Sequence, residues 1–261
     1  MPGAHADWER GAGIAEPARI ATHADALGFA HLTCSEHVAV PVPVAEQRGG
    51  TYWDPLATFG YLAALTTRIR FVTQVLVLGY HHPLAIAKRY GILDVVSGGR
   101  LTLGLGVGAL EEEFATPEYH GEHYEFSGVL VDPHAVQDRV PLWVGGRTRR
   151  SLRRAVELAD GWTPFALSHS AAAAMLAEVD LRPDFEVVLS AGPVDPLGDP
   201  SATECRITAA GAAGATTVNV SVAAESADHY CEQLGALADL ATRWTGAEPD
   251  GTGAGTPRTD G

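Results

Sequence analysis

Helical and strand signals alternate along almost the whole of this 261-residue chain, and that alternation limits the fold more than any other feature. Strands separated by helical crossovers pair in parallel, and repeated units of this kind build one sheet with helices on its outside. Ile14, Ala18, Ala21, Ala24 and Leu27 form a helical apolar stripe that Gly28 stops, and the short apolar run 30–34 then reads as a buried strand. Asp54-Pro55 opens a second helix, with Leu56, Phe59, Leu62 and Ala63 on one face. The β-branched segment 70–78 reads as a strand, 83–96 as a helix ended by Ser97-Gly98-Gly99, and 101–105 as a strand. In the second half, 142–144, 162–165, 185–191 and 216–222 read as strands. The helices between and after them cover 152–159, 171–179, 201–213 and 226–241.

This gives seven strands, and nothing in residues 1–13 has a strand pattern. The chain is expected to be α/β, with an irregular N-terminus over 1–13, one barrel domain over 14–244 and a disordered tail over 245–261 rich in Gly, Thr, Pro and Asp. One segment interrupts the alternation. Residues 119–131 alternate bulky and polar side chains around Gly121 and Gly128 and read as a β-hairpin inserted between barrel units.

A formal net charge of −14 opposes binding to nucleic acid and to anionic membranes, so neither is expected as a partner. No apolar run reaches the ~18 residues of a membrane helix, and the first residues lack a basic-then-apolar leader pattern; a cytoplasmic location is the expectation. Cys34, Cys205 and Cys231 are far apart and odd in number, which fits thiols in a reducing compartment. His120 and His123, three apart on a strand, point to opposite faces, so a polar hairpin accounts for them and no metal is expected. No Gly-x-Ser-x-Gly elbow marks a serine hydrolase.

Several motifs follow one another in a recognisable order. Leu27-Gly28-Phe29 precedes Ser35-Glu36-His37-Val38, and Asp54-Pro55-Leu56 leads to Thr66-Thr67-Arg68-Ile69-Arg70. His82-Pro83-Leu84 with Lys88 leads to Asp94-Val95-Val96-Ser97-Gly98-Gly99-Arg100 and to Gly104-Leu105-Gly106-Val107-Gly108. Pro141-Leu142-Trp143-Val144-Gly145-Gly146 precedes Ala159-Asp160-Gly161-Trp162. In this order and spacing, over about residues 14–241, the chain resembles the bacterial luciferase-like monooxygenase superfamily. Its Ala-, Arg-, Gly- and Asp-rich composition points softly to the branch that uses the deazaflavin coenzyme F420. The resemblance implies a (β/α)8 TIM-barrel-type fold, here incomplete, with the first strand and the helix after the fourth strand missing. A barrel without its first strand has two unpaired edges, near 30–34 and 216–222, and an open or loosely plugged gap is expected, with Trp8 as a candidate plug.

Barrel active sites lie at the C-terminal ends of the strands. Glu36 and His37 follow the first predicted strand; a histidine there can move a proton near neutral pH, and an adjacent carboxylate can set its tautomer. The resemblance implies that this pair lies beside the reactive ring. It also implies that Thr73, Gln74 and Val75 support the back of that ring through a bulge or a non-proline cis peptide. Gly106 and Gly108, in the run that starts at Gly104, are candidates for close approach of a ring or phosphate to the backbone. Glu111 to Glu113 read as a solvated first helical turn. Gly145, Gly146, Arg147 and Thr148 join a strand to a helix start, where backbone N–H groups and a guanidinium hold phosphate well; family members hold the cofactor phosphate here. The expected activity is hydride transfer between coenzyme F420 and a small organic substrate, with His37 as proton donor or acceptor, in a homodimer. The alternatives are an FMN-dependent monooxygenase and a non-catalytic flavin-binding remnant of the family.

Overall fold

Asp54 and Pro55 do start a helix. The Asp54 carboxylate accepts the Ala57 N–H at 2.8 Å, and Pro55 occupies the first turn, where a missing N–H costs nothing. In a computed structural model of the chain, which describes residues 6–37, 45–46, 52–106, 119–120, 125–126 and 135–245, this helix is α3 (Pro55–Ala63). Before it come α1 (Asp7–Arg10), α2 (Ala15–Ala26) and β1 (His31–Cys34). After it come β2 (Arg70–Thr73), β3 (Leu76–Val77), α4 (Pro83–Ser97) and β4 (Leu101–Gly106). The hairpin strands are β5 (Tyr119–His120) and β6 (Glu125–Phe126). The second half runs β7 (Leu142–Gly145), α5 (Arg149–Leu158), β8 (Gly161–Thr163), α6 (His169–Leu176), β9 (Glu186–Val194), α7 (Pro200–Ala212), β10 (Thr217–Val222) and α8 (Ala227–Thr245).

The strands form one curled parallel sheet in the order β1-β2-β4-β7-β8-β9-β10, and β3 continues the line of β2 against β4. This is an incomplete TIM barrel of seven strand positions. Strand 70–78, continuous in its residue pattern, is broken at Gln74-Val75, where the peptide bond is cis, as the resemblance implied. The hairpin is a separate antiparallel pair, Tyr119 opposite Phe126 and His120 opposite Glu125. Residues 1–13, expected to be irregular, include the single helical turn α1. The expected tail lies outside the described residues beyond Thr245, as do 107–118, where the helix after the fourth strand was expected to be lost.

Side chains alternate across each strand, so every second residue meets the helices. Leu32, Cys34, Phe71, Leu101, Leu103 and Leu105 face outward and are buried with Ile20, Phe59, Leu62 and Ile86. Trp162, Val187 and Leu189 do the same with Leu152, Ala172 and Met175. Each such side chain contributes about 1.5–3 kcal/mol by leaving water. The inward set is more polar than the branched aliphatics that usually fill such a barrel. It includes His31, Arg70, Thr102, Thr163, Glu186 and Asn219, around a small apolar group of Val72, Trp143 and Val188.

Two buried carboxylates and one half-buried one, Asp160, fasten the N-terminal end of the barrel, opposite the candidate site. Asp25 accepts the backbone N–H groups of Thr67, Arg68 and Ile69 at 2.6–2.9 Å. Asp94, wholly buried, accepts Val136 N–H, Gln137 N–H and the Gln137 amide. Asp160 accepts the Leu142 N–H and pairs with Arg139 and Arg182. Arg100 donates to the carbonyls of Ala63, Ile69 and Ser97, closing the C-terminal ends of α3 and α4. Gly98 ends α4 at φ 68°, and the Gly99 N–H returns to the Asp94 carbonyl.

Among the described residues no strand precedes β1, and β1 and β10 share no backbone ladder. Trp8 plugs the seam. The Trp8 indole N–H donates to the Ala224 carbonyl at 2.9 Å, and its ring meets Tyr230 edge-on at 6.5 Å. No helix among the described residues is long and apolar enough to cross a membrane.

Candidate functional site

The parallel sheet carries the ends of β1, β2, β4, β7 and β8 to one mouth. Glu36, two residues past β1, is buried, whereas His37 beside it is exposed. Neighbours in extended chain point opposite ways. One oxygen of Glu36 accepts the Val77 N–H at 2.7 Å and the other meets His81 Nε2 at 2.6 Å. A carboxylate only accepts, so His81 carries the proton on Nε2. Glu36 thus fastens the β1 loop to the β3 loop and orients His81. The His37 ring rests on Tyr52, centroids 4.1 Å apart. His82, the other member of the His-His pair, caps α4 by accepting the Leu84 N–H.

Thr73, Gln74 and Val75 lie together at the break between β2 and β3. The Thr73 hydroxyl donates to the Gly104 carbonyl at 2.9 Å. Gln74 turns into the barrel, donating to the Thr163 hydroxyl at 3.0 Å and accepting from Asn219 at 2.8 Å. Val75 explains two glycines. A methyl group added at Gly106 would sit 2.8 Å from Val75 Cγ2, and one at Gly145 would sit 3.0 Å from Val75 Cγ1. At Gly104 it would meet the Thr73 carbonyl at 2.0 Å. The glycines make room for the protein's own bulge, and the surface they were expected to offer as bare backbone is covered by valine methyls. Gly108 lies outside the described residues, as do Glu111 to Glu113.

Gly145 and Gly146 are buried at the end of β7, and Gly146 takes φ 122°, a conformation that favours glycine. Thr148 caps α5: its hydroxyl accepts the Ser151 N–H, and the Ser151 hydroxyl accepts the Thr148 N–H. That hydroxyl is committed to the helix. Arg149 is also committed, to a bidentate pair with Glu178 at 2.7 Å. Arg147 is exposed, makes no ion pair among the described residues, and lies over the Phe165 ring 5.8 Å from its centroid. The Arg147 guanidinium and the N–H groups of the first turn of α5 thus form an anion-ready start to a helix with no acidic residue there.

Four participants were not singled out by sequence: His31, Thr163, Phe165 and Asn219. Which face of a strand a residue takes depends on register, and no local pattern announces it. His81 had a signal, its place beside His82-Pro83, but that left turn and pocket wall open. Cys34 is excluded as a nucleophile, because burial pushes its thiol up to about 11.

The sequence profile described as luciferase-like monooxygenase matches residues 1–117 and 109–191. An uncharacterised protein of Mycobacterium tuberculosis is 27% identical, with 56% of this chain and 66% of that protein covered. The chain thus spans a little under two thirds of the length of this curated relative. Among solved structures, a monooxygenase from Streptomyces bottropensis superposes with a TM-score of 0.71 at 20% identity, covering 90% of this chain and 94% of that one. The coenzyme F420-dependent tetrahydromethanopterin reductase of Methanopyrus kandleri superposes with a TM-score of 0.69 at 14% identity, covering 88% and 95%.

Proposed function

This chain belongs to the luciferase-like monooxygenase family, and we propose that it is an oxidoreductase that transfers hydride between coenzyme F420 and a small organic substrate. One observation carries the reading: the apolar Val75 wall over Gly106 and Gly145 stands beside the anion-ready start of α5, so one mouth offers a face for a flat ring and a grip for its phosphate. The residues present fit such a group. Val75 would back the ring, with Thr73 and Gln74 fixing the bulge; Gly146, Arg147 and the first N–H groups of α5 would hold phosphate. When bound, a deazaflavin supplies the hydride donor or acceptor. His37, exposed at the mouth, delivers or takes the accompanying proton through its imidazole. Glu36, held by His81 and Val77, keeps the loop that carries His37 in place.

The likeness to an F420-dependent reductase favours the deazaflavin. The likeness to a monooxygenase supports the second reading, FMN and oxygen activation. The reading includes a homodimer in the cytoplasm; the exposed apolar residues Tyr61 and Leu65, beside Ile92, Val95 and Val96 on the adjacent helix, support a second copy there.

Titration of the purified protein with F420 and with FMN tests the reading. Binding of F420 with turnover supports the first activity, binding of FMN with oxygen consumption the second, and feeble binding of both indicates a remnant. For whichever cofactor binds, Arg147→Glu is expected to weaken affinity at least tenfold, about 1.4 kcal/mol, because attraction becomes repulsion. Equal affinity by calorimetry would put the phosphate elsewhere.

A further inference from the structure

The barrel's unpaired edges are joined through side chains, and the join reaches the candidate site. Asn219 on β10 donates through Nδ2 to the Gln74 amide oxygen at 2.8 Å. That fixes its Oδ1 as the acceptor, 2.7 Å from His31 Nε2 on β1. The Gln74 amide nitrogen in turn reaches the Thr163 hydroxyl on β8 at 3.0 Å. One line of hydrogen bonds therefore runs β1–β10–β2–β8 through the barrel interior, crossing the seam where no backbone ladder exists. His31 is pinned from a further side by the Trp143 ring, edge-on at 5.4 Å. Burial holds the His31 pKa below its usual value, which favours the neutral ring.

We propose that Asn219 is a positioning residue: by joining the two open edges and fixing the Gln74 amide, it sets the Gln74-Val75 wall that faces the cofactor. Gln74 has its side chain inside the barrel while its neighbour Val75 covers the glycines of β4 and β7. The orientation of one residue fixes that of the next through the shared peptide. Loss of the Asn219 amide frees Gln74 at its oxygen and His31 at its nitrogen together. An apolar replacement leaves both without a partner, the costlier way to break a buried network. The importance of the wall rests on the reading of the site as a cofactor site; the mechanical link from Asn219 to residues 74–77 does not.

The experiment reads both. Amide hydrogen exchange of the segment 72–78 is compared in the parent protein, in Asn219→Leu and in Val220→Ala. The last thins the outward packing of the same strand and leaves the bridge intact. Asn219→Leu is expected to speed exchange of that segment at least ~10-fold, and Val220→Ala less than ~2-fold at a similar fall in melting temperature. Affinity for the cofactor that the parent binds is expected to fall at least ~10-fold in Asn219→Leu alone. Unchanged exchange in Asn219→Leu, or equal acceleration in both variants, overturns the proposal, as does faster exchange with unchanged cofactor affinity. Should the parent bind neither F420 nor FMN, the functional reading fails, and the exchange comparison still decides whether Asn219 sets the wall.

Discussion

His37→Ala is expected to lower turnover at least ~100-fold, the usual scale of lost general acid–base help, while leaving the fold and cofactor affinity nearly unchanged. The side chain is exposed and rests on the Tyr52 ring, so truncation removes little buried surface. Glu36 keeps its bonds to Val77 and His81 in the variant, because neither involves His37. Two measurements separate the chemical role from a structural one. Cofactor titration should give the parent's dissociation constant, and single turnover with saturating cofactor and substrate should show the deficit. Tyr52→Leu, which removes the stacking partner alone, should lose far less. Unchanged turnover in His37→Ala would take the imidazole out of the mechanism and leave His81, held by Glu36, as the group to test.

The largest effect on stability is expected at Asp25. Its carboxylate accepts three backbone N–H groups and the Thr67 hydroxyl, and one of those N–H groups belongs to the buried Ile69. Thr67 and Arg68 are exposed and water can replace their bond, whereas Ile69 is wholly buried. Asp25→Ala should therefore cost about 3 kcal/mol, lowering the melting temperature by roughly 6–12 °C in a chain of this size. Asp25→Asn retains one acceptor and should lose less. The pH dependence has a definite sign. Burial raises the Asp25 pKa, but the N–H groups of Thr67, Ile69 and Arg68 outweigh it and hold the carboxyl at about 2, below the ordinary 3.8. A depressed folded-state pKa gives stability that is present in full above pH ~4 and is lost as the pH falls towards ~2. Urea unfolding at pH 4 and at pH 2.5 should show the parent losing more between them than Asp25→Asn. Parallel losses would mean that other carboxylates govern the acid limb.

Much of the fold was legible because its signals are local. The Asp54-Pro55 start and the Gly98-Gly99 stop are written within a few residues, and the alternation of apolar runs fixed parallel pairing before any contact was known. The break at Gln74-Val75 was not legible in the residues themselves. The segment 70–78 has a continuous β-branched pattern, and the bulge depends on glycines ~30 and ~70 positions away that admit Val75; it entered only through the likeness to a family. At the site, Glu36, His37 and Arg147 were found because they follow strand ends. The bonds from Glu36 to His81 and Val77 were not legible, because adjacency in space is not written in the sequence: His81 lies 45 positions on. Asn219 and Thr163 gave no signal, since an amide and a hydroxyl on short strands look like ordinary strand polarity until register turns them inward.

About half of the motifs by which this chain is recognised, at residues 27–29, 66–70, 94–100 and 159–162, belong to the end of the barrel where Asp25, Asp94, Asp160 and Arg100 bind loops to strand starts. That end and the mouth are separated by the length of the strands, and the fasteners touch neither Val75 nor the start of α5. Changing exposed side chains of the loops after β1, β7 and β8 therefore leaves those fastenings untouched, and a chain altered in that way keeps the part of its family signature that lies at the opposite end. For protein engineering the consequence is a chassis: libraries at the exposed positions Ser35, His37, Arg147 and Phe165 can be screened for new chemistry with the fastenings, the Glu36 bonds and the Thr148 cap intact, while libraries that reach residues 66–70, 94–100 or 159–161 will return mostly unfolded chains.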